Sequence, residues 1–214
     1  MMDTFISAEV ARTLLDIGAV GLTPEEPVTF KSGIEAPIFV DSRRLTFHPE
    51  AFKVVVHEFL TRLRAGDFEA EVVAGVETSG IPYSAVFAYA AGLPSVFVRK
   101  PIADRPSKRR IVGGEITGKR VLLVEDMIST GENSLAAIES LRQRGGALVT
   151  DCVTLVSYGF PEAIERFNAA GVRLHCLADL STVVNEAVGV GNVTPEQAVT
   201  ILRWLENPSR IQKD

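Results

Sequence analysis

The sequence predicts an α/β fold with a central, mostly parallel sheet flanked by helices. Three observations support it. Short apolar runs without charge recur from residue 71 onward, among them Val72-Val73-Ala74-Gly75-Val76 and Val121-Leu122-Leu123-Val124. Strands of that kind are buried on both faces. Segments of helical period stand between them, and strand–helix alternation implies parallel pairing, because a parallel neighbour needs a crossover. At 214 residues the chain is long enough for one good core with at most a small appendage.

Taken in order, Ser7 can cap a first helix by accepting a backbone N–H. Val10, Leu14 and Ile17 then share one face, and Gly18 is the stop. Val28-Thr29-Phe30-Lys31 and Pro37-Ile38-Phe39-Val40-Asp41 read as short strands around Ser32-Gly33, a hairpin signal. Pro49 suits the first turn of a second helix, where its missing N–H is no loss. That helix runs to about Arg64 with Phe52, Val55, Val56 and Phe59 inward. A buried strand follows at 71–76, a helix at 81–91 and a strand at 95–98. Residues 120–124 form the next strand, leading to a helix from about 132 to 144. Then come a strand at 148–156, a helix at 162–170 and a last strand at 173–177. Thr194-Pro195-Glu196-Gln197 starts a final helix over 194–205, in which the lone Trp204 reads as a packing anchor.

Residues 99–120 interrupt the pattern. They hold eight basic side chains (Arg99, Lys100, Arg105, Lys108, Arg109, Arg110, Lys119, Arg120) against Asp104 and Glu115. Pro101, Pro106, Gly113, Gly114 and Gly118 forbid a long helix there. A long loop inside a compact α/β domain is often a functional lid.

Composition narrows the function classes. A net charge of -5 argues against a general nucleic-acid binder. The apolar runs fall short of the ~20 residues a membrane span needs, and no signal peptide is visible, so the cytoplasm is the default compartment. Cys152 and Cys176 sit in apolar runs and read as buried free thiols. Metal-ligand spacing of Cys and His is missing, and His48, His57 and His175 read as structural.

The most informative segment is Val121-Leu122-Leu123-Val124-Glu125-Asp126-Met127-Ile128-Ser129-Thr130-Gly131. Two carboxylates follow a buried strand at its carboxyl end, where open α/β sheets bind ligands. Ser129, Thr130 and Gly131 then lead into a helix, whose N-terminal N–H groups and dipole favour an anion. Gly131 lets the backbone approach a phosphate closely. Carboxylates accept hydrogen bonds from a sugar diol and would repel a phosphate. A ribose 5-phosphate, with its diol at one end and phosphate at the other, satisfies both halves.

This string resembles the phosphoribosyl-diphosphate signature of the type I phosphoribosyltransferases. Other segments make the chain similar to the orotate branch. Phe30-Lys31-Ser32-Gly33 with Pro37-Ile38-Phe39-Val40-Asp41 resembles its N-terminal hairpin. Gly75-Val76-Glu77-Thr78-Ser79-Gly80-Ile81-Pro82 resembles its pyrophosphate loop, and Phe97-Val98-Arg99-Lys100 its basic strand end. The resemblance covers about 11–183. It implies a single domain over 1–214, with a hood from about 1–45 and the C-terminal region, and a flexible basic loop at about 101–114. It implies transfer of a phosphoribosyl group from phosphoribosyl diphosphate to orotate, giving orotidine 5′-phosphate and diphosphate on the route to UMP. Magnesium is the implied cofactor, held mainly by substrate, and a homodimer with shared sites is the implied assembly.

Residue by residue, the resemblance assigns Lys31, Thr78, Ser79, Arg99, Lys100, and Glu125 through Asn133 (Glu125, Asp126, Met127, Ile128, Ser129, Thr130, Gly131, Glu132, Asn133) to phosphoribosyl diphosphate. Glu125 and Asp126 are the candidate catalytic pair. Phe39, Ser129 and Ser157 are the candidates for orotate. Three departures stand out. The usual lid lysine near Ala103 is absent, so Arg105 or Lys108 is expected to serve instead. Ser79 replaces a lysine found in some relatives. Ser157-Tyr158-Gly159-Phe160-Pro161 carries no cation where many relatives place an orotate-binding arginine, so other groups must meet the orotate carboxylate. The alternatives are a transferase for another nucleobase and a non-catalytic sensor of phosphoribosyl diphosphate. Regulators of the second kind carry an N-terminal helix-turn-helix domain of ~70 residues, whereas about 25 residues precede the hairpin here.

Overall fold

The computed structural model describes residues 7–29, 35–100 and 110–208. Helix α1 (Ala8–Asp16) starts where Ser7 accepts the Val10 N–H at 3.3 Å. Strands β1 (Val20–Leu22), β2 (Val28–Thr29), β3 (Glu35–Ala36) and β4 (Ile38–Val40) follow, then a 3-10 helix at Ser42–Phe47. Helix α2 (Pro49–Ala65) has Pro49 in its first turn and ends on Gly66 at φ 81°. The remaining elements are β5 (Val72–Val76), α3 (Gly80–Ala91), β6 (Ser95–Val98), β7 (Ile111–Val112), β8 (Val121–Ile128), α4 (Glu132–Gln143), β9 (Asp151–Ser157), α5 (Pro161–Ala169), β10 (Arg173–Asp179), α6 (Leu180–Gly189) and α7 (Pro195–Glu206).

Six strands form the main sheet in the order β10-β9-β8-β5-β6-β7, all parallel except β7, which runs antiparallel to β6. The predicted α/β class and mostly parallel sheet are therefore correct. From β5 the chain moves outward through α3 to β6. It then returns to the other side of β5 as β8 and continues through β9 to β10. The order reverses between β5 and β8, which is where sheets of this kind bind ligands.

Side chains alternate between two cores. Leu122 and Val124 join the core beneath α1, α2, α3, α6 and α7, whereas Val121 and Leu123 join the one beneath α4 and α5. Both faces are covered, which explains the uninterrupted apolar runs. Trp204 is buried edge-on to Phe160 and Tyr158, as an anchor should be. His175 is buried beside Asp151 at 2.7 Å. Cys152 and Cys176 are buried free thiols. Among the described residues, no helix is long and apolar enough to cross a membrane.

Several sequence expectations are corrected. The strand over 37–41 does not pair with Val28 and Thr29. Val28 and Thr29 pair with Ala36 and Glu35, while Ile38, Phe39 and Val40 pair with Leu22, Gly21 and Val20. Pro37 has no N–H to extend a ladder, and the chain changes partner there. Strand β8 runs four residues past the expected end at 124, because β9 continues to pair with it. Residues 111–112, assigned to the basic loop, form edge strand β7. Helix α6 and the 3-10 helix were unexpected. The Asp179 side chain caps α6 by accepting the Thr182 N–H at 2.7 Å.

Candidate functional site

The site begins where two neighbouring strands part. β8 pairs with β5 only as far as Val124↔Gly75. Beyond that, Glu125, Met127 and Ile128 pair with Thr154, Val156 and Ser157 of β9, so one edge of β8 is open. Here β5 gives way to a loop at 77–79 and then α3. The loop is held at its first residue. The Glu77 N–H donates to the Val98 carbonyl at 3.0 Å, and a Glu77 carboxylate oxygen accepts the Lys100 N–H at 2.7 Å. Gly80 lets α3 approach β8 closely, since a Cβ there would lie 2.8 Å from the Val124 carbonyl oxygen.

A cavity of about 290 Å³ opens at this parting. It brings together Thr78 and Ser79 from the loop after β5, Lys100 from the end of β6, Glu125–Ile128 from β8, and Ser129–Asn133 from the turn into α4. Those are twelve of the residues the sequence singles out. Glu77 and Ser134 line it as well. A larger cavity of about 580 Å³ lies against β7 and the end of α4, but it holds Glu115 as its lone carboxylate and no uncapped helix start. Chemistry, not size, selects the smaller one.

The two carboxyls differ sharply. Glu125 is buried, with the Ser134 hydroxyl donating to it at 3.3 Å and the Asp126 N–H at 3.3 Å. Burial, then the hydrogen bond and charge of Asp126, push its pKa up to about 9. In the free protein at neutral pH Glu125 therefore keeps its proton. Asp126 is half-buried and faces the cavity. Its Oδ2 accepts a hydrogen bond from the Ser42 hydroxyl.

At the other end, α4 starts on Gly131 at φ 75° with no side-chain cap. The first N–H groups of a helix have no intrahelical partner, so they are left for a ligand. Glycine is required here for two reasons. The left-handed backbone disfavours a side chain, and a Cβ would lie 2.6 Å from the Phe167 ring. Close packing against α5 thus adds to the approach to phosphate expected at Gly131.

Other candidates lie elsewhere. The Phe39 ring covers Gly21, where a Cβ would be 2.1 Å from it, so it serves the β1–β4 pair and is absent from the cavity lining. Ser157 is buried and its hydroxyl accepts the Gly159 N–H at 3.0 Å, which removes it from the cavity wall. The Arg99 guanidinium lies 5.9 Å from the Phe97 ring centroid, and the residue lines an adjoining cavity of about 160 Å³ that shares Lys100, Glu132 and Asn133. Lys31, Arg105 and Lys108 fall outside the described residues. The residues sequence reasoning missed are Glu77, Ser134 and Ser42. Glu77 lies within the loop already quoted, whereas Ser42 meets Asp126 across 84 positions and has no local signal.

The arrangement separates charge along one cavity, with acceptors at the strand end and N–H donors at the helix start. Among the described residues, no cluster of three or more side chains could hold a metal by itself.

Comparison with known proteins agrees with this geometry. A family model described as "Phosphoribosyl transferase domain" matches residues 44–166. An orotate phosphoribosyltransferase of Coxiella burnetii is 35% identical over 206 residues, covering 96% of this chain and 98% of that protein. The UMP synthase of Leishmania donovani superposes with a TM-score of 0.79 at 27% identity, over 93% of this chain but 42% of the longer enzyme. The Mycobacterium tuberculosis orotate phosphoribosyltransferase in complex with 5-phospho-α-D-ribosyl 1-diphosphate has a TM-score of 0.64 at 28% identity, covering 83% and 99% of the two chains.

Proposed function

This chain belongs to the orotate phosphoribosyltransferase family, and from that membership we infer its reaction: transfer of the 5-phosphoribosyl group from phosphoribosyl diphosphate to orotate in pyrimidine nucleotide synthesis. The single observation that carries this reading is the opposition, within one cavity, of the Glu125–Asp126 pair and the uncapped start of α4. The diol of the ribose goes to the acidic pair and its 5-phosphate to the N–H groups at 129–133.

In the transfer, the bond between the anomeric carbon and the diphosphate oxygen breaks and both electrons leave with the diphosphate. The orotate ring nitrogen, having released its proton to solvent, bonds to that carbon. The sugar passes through a cationic state, which a carboxylate against its diol stabilises. Lys100, beside Thr78 and Ser79, faces the side on which diphosphate charge builds up.

Magnesium suits a site of oxygen acceptors without histidine or thiol ligands. With no protein cage among the described residues, the ion would be held mainly by substrate oxygens beside Asp126 and would supply charge neutralisation at the leaving diphosphate. The test is consumption of orotate in a mixture of protein, phosphoribosyl diphosphate and magnesium, followed by its ultraviolet absorbance.

A second copy of the chain is the partner that best fits the outer face of α2 and α3. There a groove is lined by Phe52, Val56, Leu60 and Val86. Near it in sequence, Phe47 stays 84% exposed and Tyr89, one turn after Val86 on α3, stays 89% exposed. Sedimentation equilibrium is expected to return twice the chain mass, and Tyr89→Asp to shift it toward one. A wild-type monomer at assay concentrations contradicts the assignment.

A further inference from the structure

Three elements converge on Ser42, the first residue of the 3-10 helix after β4. Its hydroxyl donates to Asp126 Oδ2 of β8, and its carbonyl accepts the Tyr83 hydroxyl of α3 at 2.6 Å. Both residues are buried, Ser42 at 3% exposure and Tyr83 at 1%. Tyr83 is held in turn by Phe52 and Phe87, with ring centroids 5.4 and 6.4 Å away. Burial, and then the charge of Asp126, raise the Tyr83 pKa, so its hydroxyl stays a donor. The next residue back, Asp41, donates its N–H to the Ala19 carbonyl at 2.7 Å, which fixes the approach of the chain to Ser42.

The consequence lies at Asp126. A side chain on a strand edge is free to swing about two bonds. Here one carboxylate oxygen is anchored by a buried hydroxyl whose own backbone is anchored to α3, and the residue as a whole lines the cavity. Glu125, its neighbour, is meanwhile fixed by Ser134. A hydrogen bond to a charged acceptor that orients it before a ligand arrives acts on binding and turnover rather than on fold stability.

Resting on the reaction inferred above, we propose that Ser42, braced by Tyr83, is a positioning residue that presents the Asp126 carboxylate to the ribose diol. It touches no substrate and acts through Asp126 alone. The 3-10 helix thus links the small β1–β4 layer to the acidic pair, a link that neither the strand nor the turn carries by itself.

The test is a double-mutant cycle with Ser42→Ala and Asp126→Asn, read by equilibrium binding of ribose 5-phosphate. Ser42→Ala is expected to weaken binding by about 10- to 100-fold, the usual range for loss of a hydrogen bond to a charged group. In the Asp126→Asn background the same change should cost less than about threefold, because the carboxylate it serves is gone. In orotate turnover, Ser42→Ala should act on the kinetics for phosphoribosyl diphosphate and leave KM for orotate within about twofold. Tyr83→Phe, which removes the brace and keeps the ring, should fall between wild type and Ser42→Ala. Unchanged binding in Ser42→Ala, or effects of the two substitutions that simply multiply, overturn the proposal. Failure of the wild-type protein to consume orotate would instead sink the assigned reaction. The binding cycle would still decide the role of Ser42.

Discussion

Asp126→Asn is expected to lower kcat/KM for phosphoribosyl diphosphate by about 10²- to 10³-fold, the range for removing one group aimed at charge that develops in a transition state. The substitution keeps the shape of the side chain and can still face Ser42, so folding should survive. Asp126 is only half-buried, and its loss leaves no cavity. The effect should divide between kcat and KM. The diol is held in the ground state as well as the transition state, but the positive charge on the sugar appears only in the second. Steady-state kinetics with a thermal melt as control measure it. A variant within about threefold of wild type would remove Asp126 from the mechanism and leave the acidic pair without a function.

The second large effect is on stability, and it comes from Glu125. Its carboxyl titrates near 9 in the folded protein against 4.5 when unperturbed. Between those values the folded state binds more protons than the unfolded state, so stability falls as pH rises. The protection is complete below about pH 4.5 and is lost on passing through pH 9. The slope from this one group is at most about 1.4 kcal/mol per pH unit. Glu125→Gln removes the titration and keeps a neutral side chain of the same size beside Ser134. Relative to wild type, the variant should therefore gain as pH rises from 5 to 8.5. At roughly 2–4 °C per kcal/mol for a chain of this length, the Tm difference should widen by more than about 5 °C. Melts across that range in one buffer series decide it. A difference that stays level with pH would mean that Glu125 is already ionised in the folded protein.

How much of this could be read from residues alone follows from how local each feature is. The stretch 121–131 was legible because strand, carboxylates and helix start are consecutive, so the chain itself guarantees their proximity. The loop at 77–80 was legible for a related reason: it is short and sits between a strand and a helix whose patterns are strong. The reach of β8 to Ile128 was hidden, since it depends on continued pairing with β9 after β5 has left. Strand β1 was hidden too. It has three residues with Gly21 in the middle, and its partner becomes apparent only once the Phe39 ring is seen to fill the space over that glycine.

The site shows the same division. Residues near each other in sequence line the same cavity. Phe39 and Ser157, assigned by resemblance, were drawn into packing and backbone hydrogen bonds instead. The proton on Glu125 was illegible as well, because it depends on desolvation by α3 and on the start of α4. Two adjacent acidic letters carry no sign of the burial that holds the proton on Glu125.

The proposed reaction needs a ribose-phosphate site coupled to an orotate acceptor. The most direct test offers wild-type protein, phosphoribosyl diphosphate and magnesium to orotate, uracil, hypoxanthine and adenine in parallel. Loss of orotate absorbance with release of diphosphate is expected, with the three other bases unchanged. Turnover of another base in preference to orotate, or of none of the four, would contradict it.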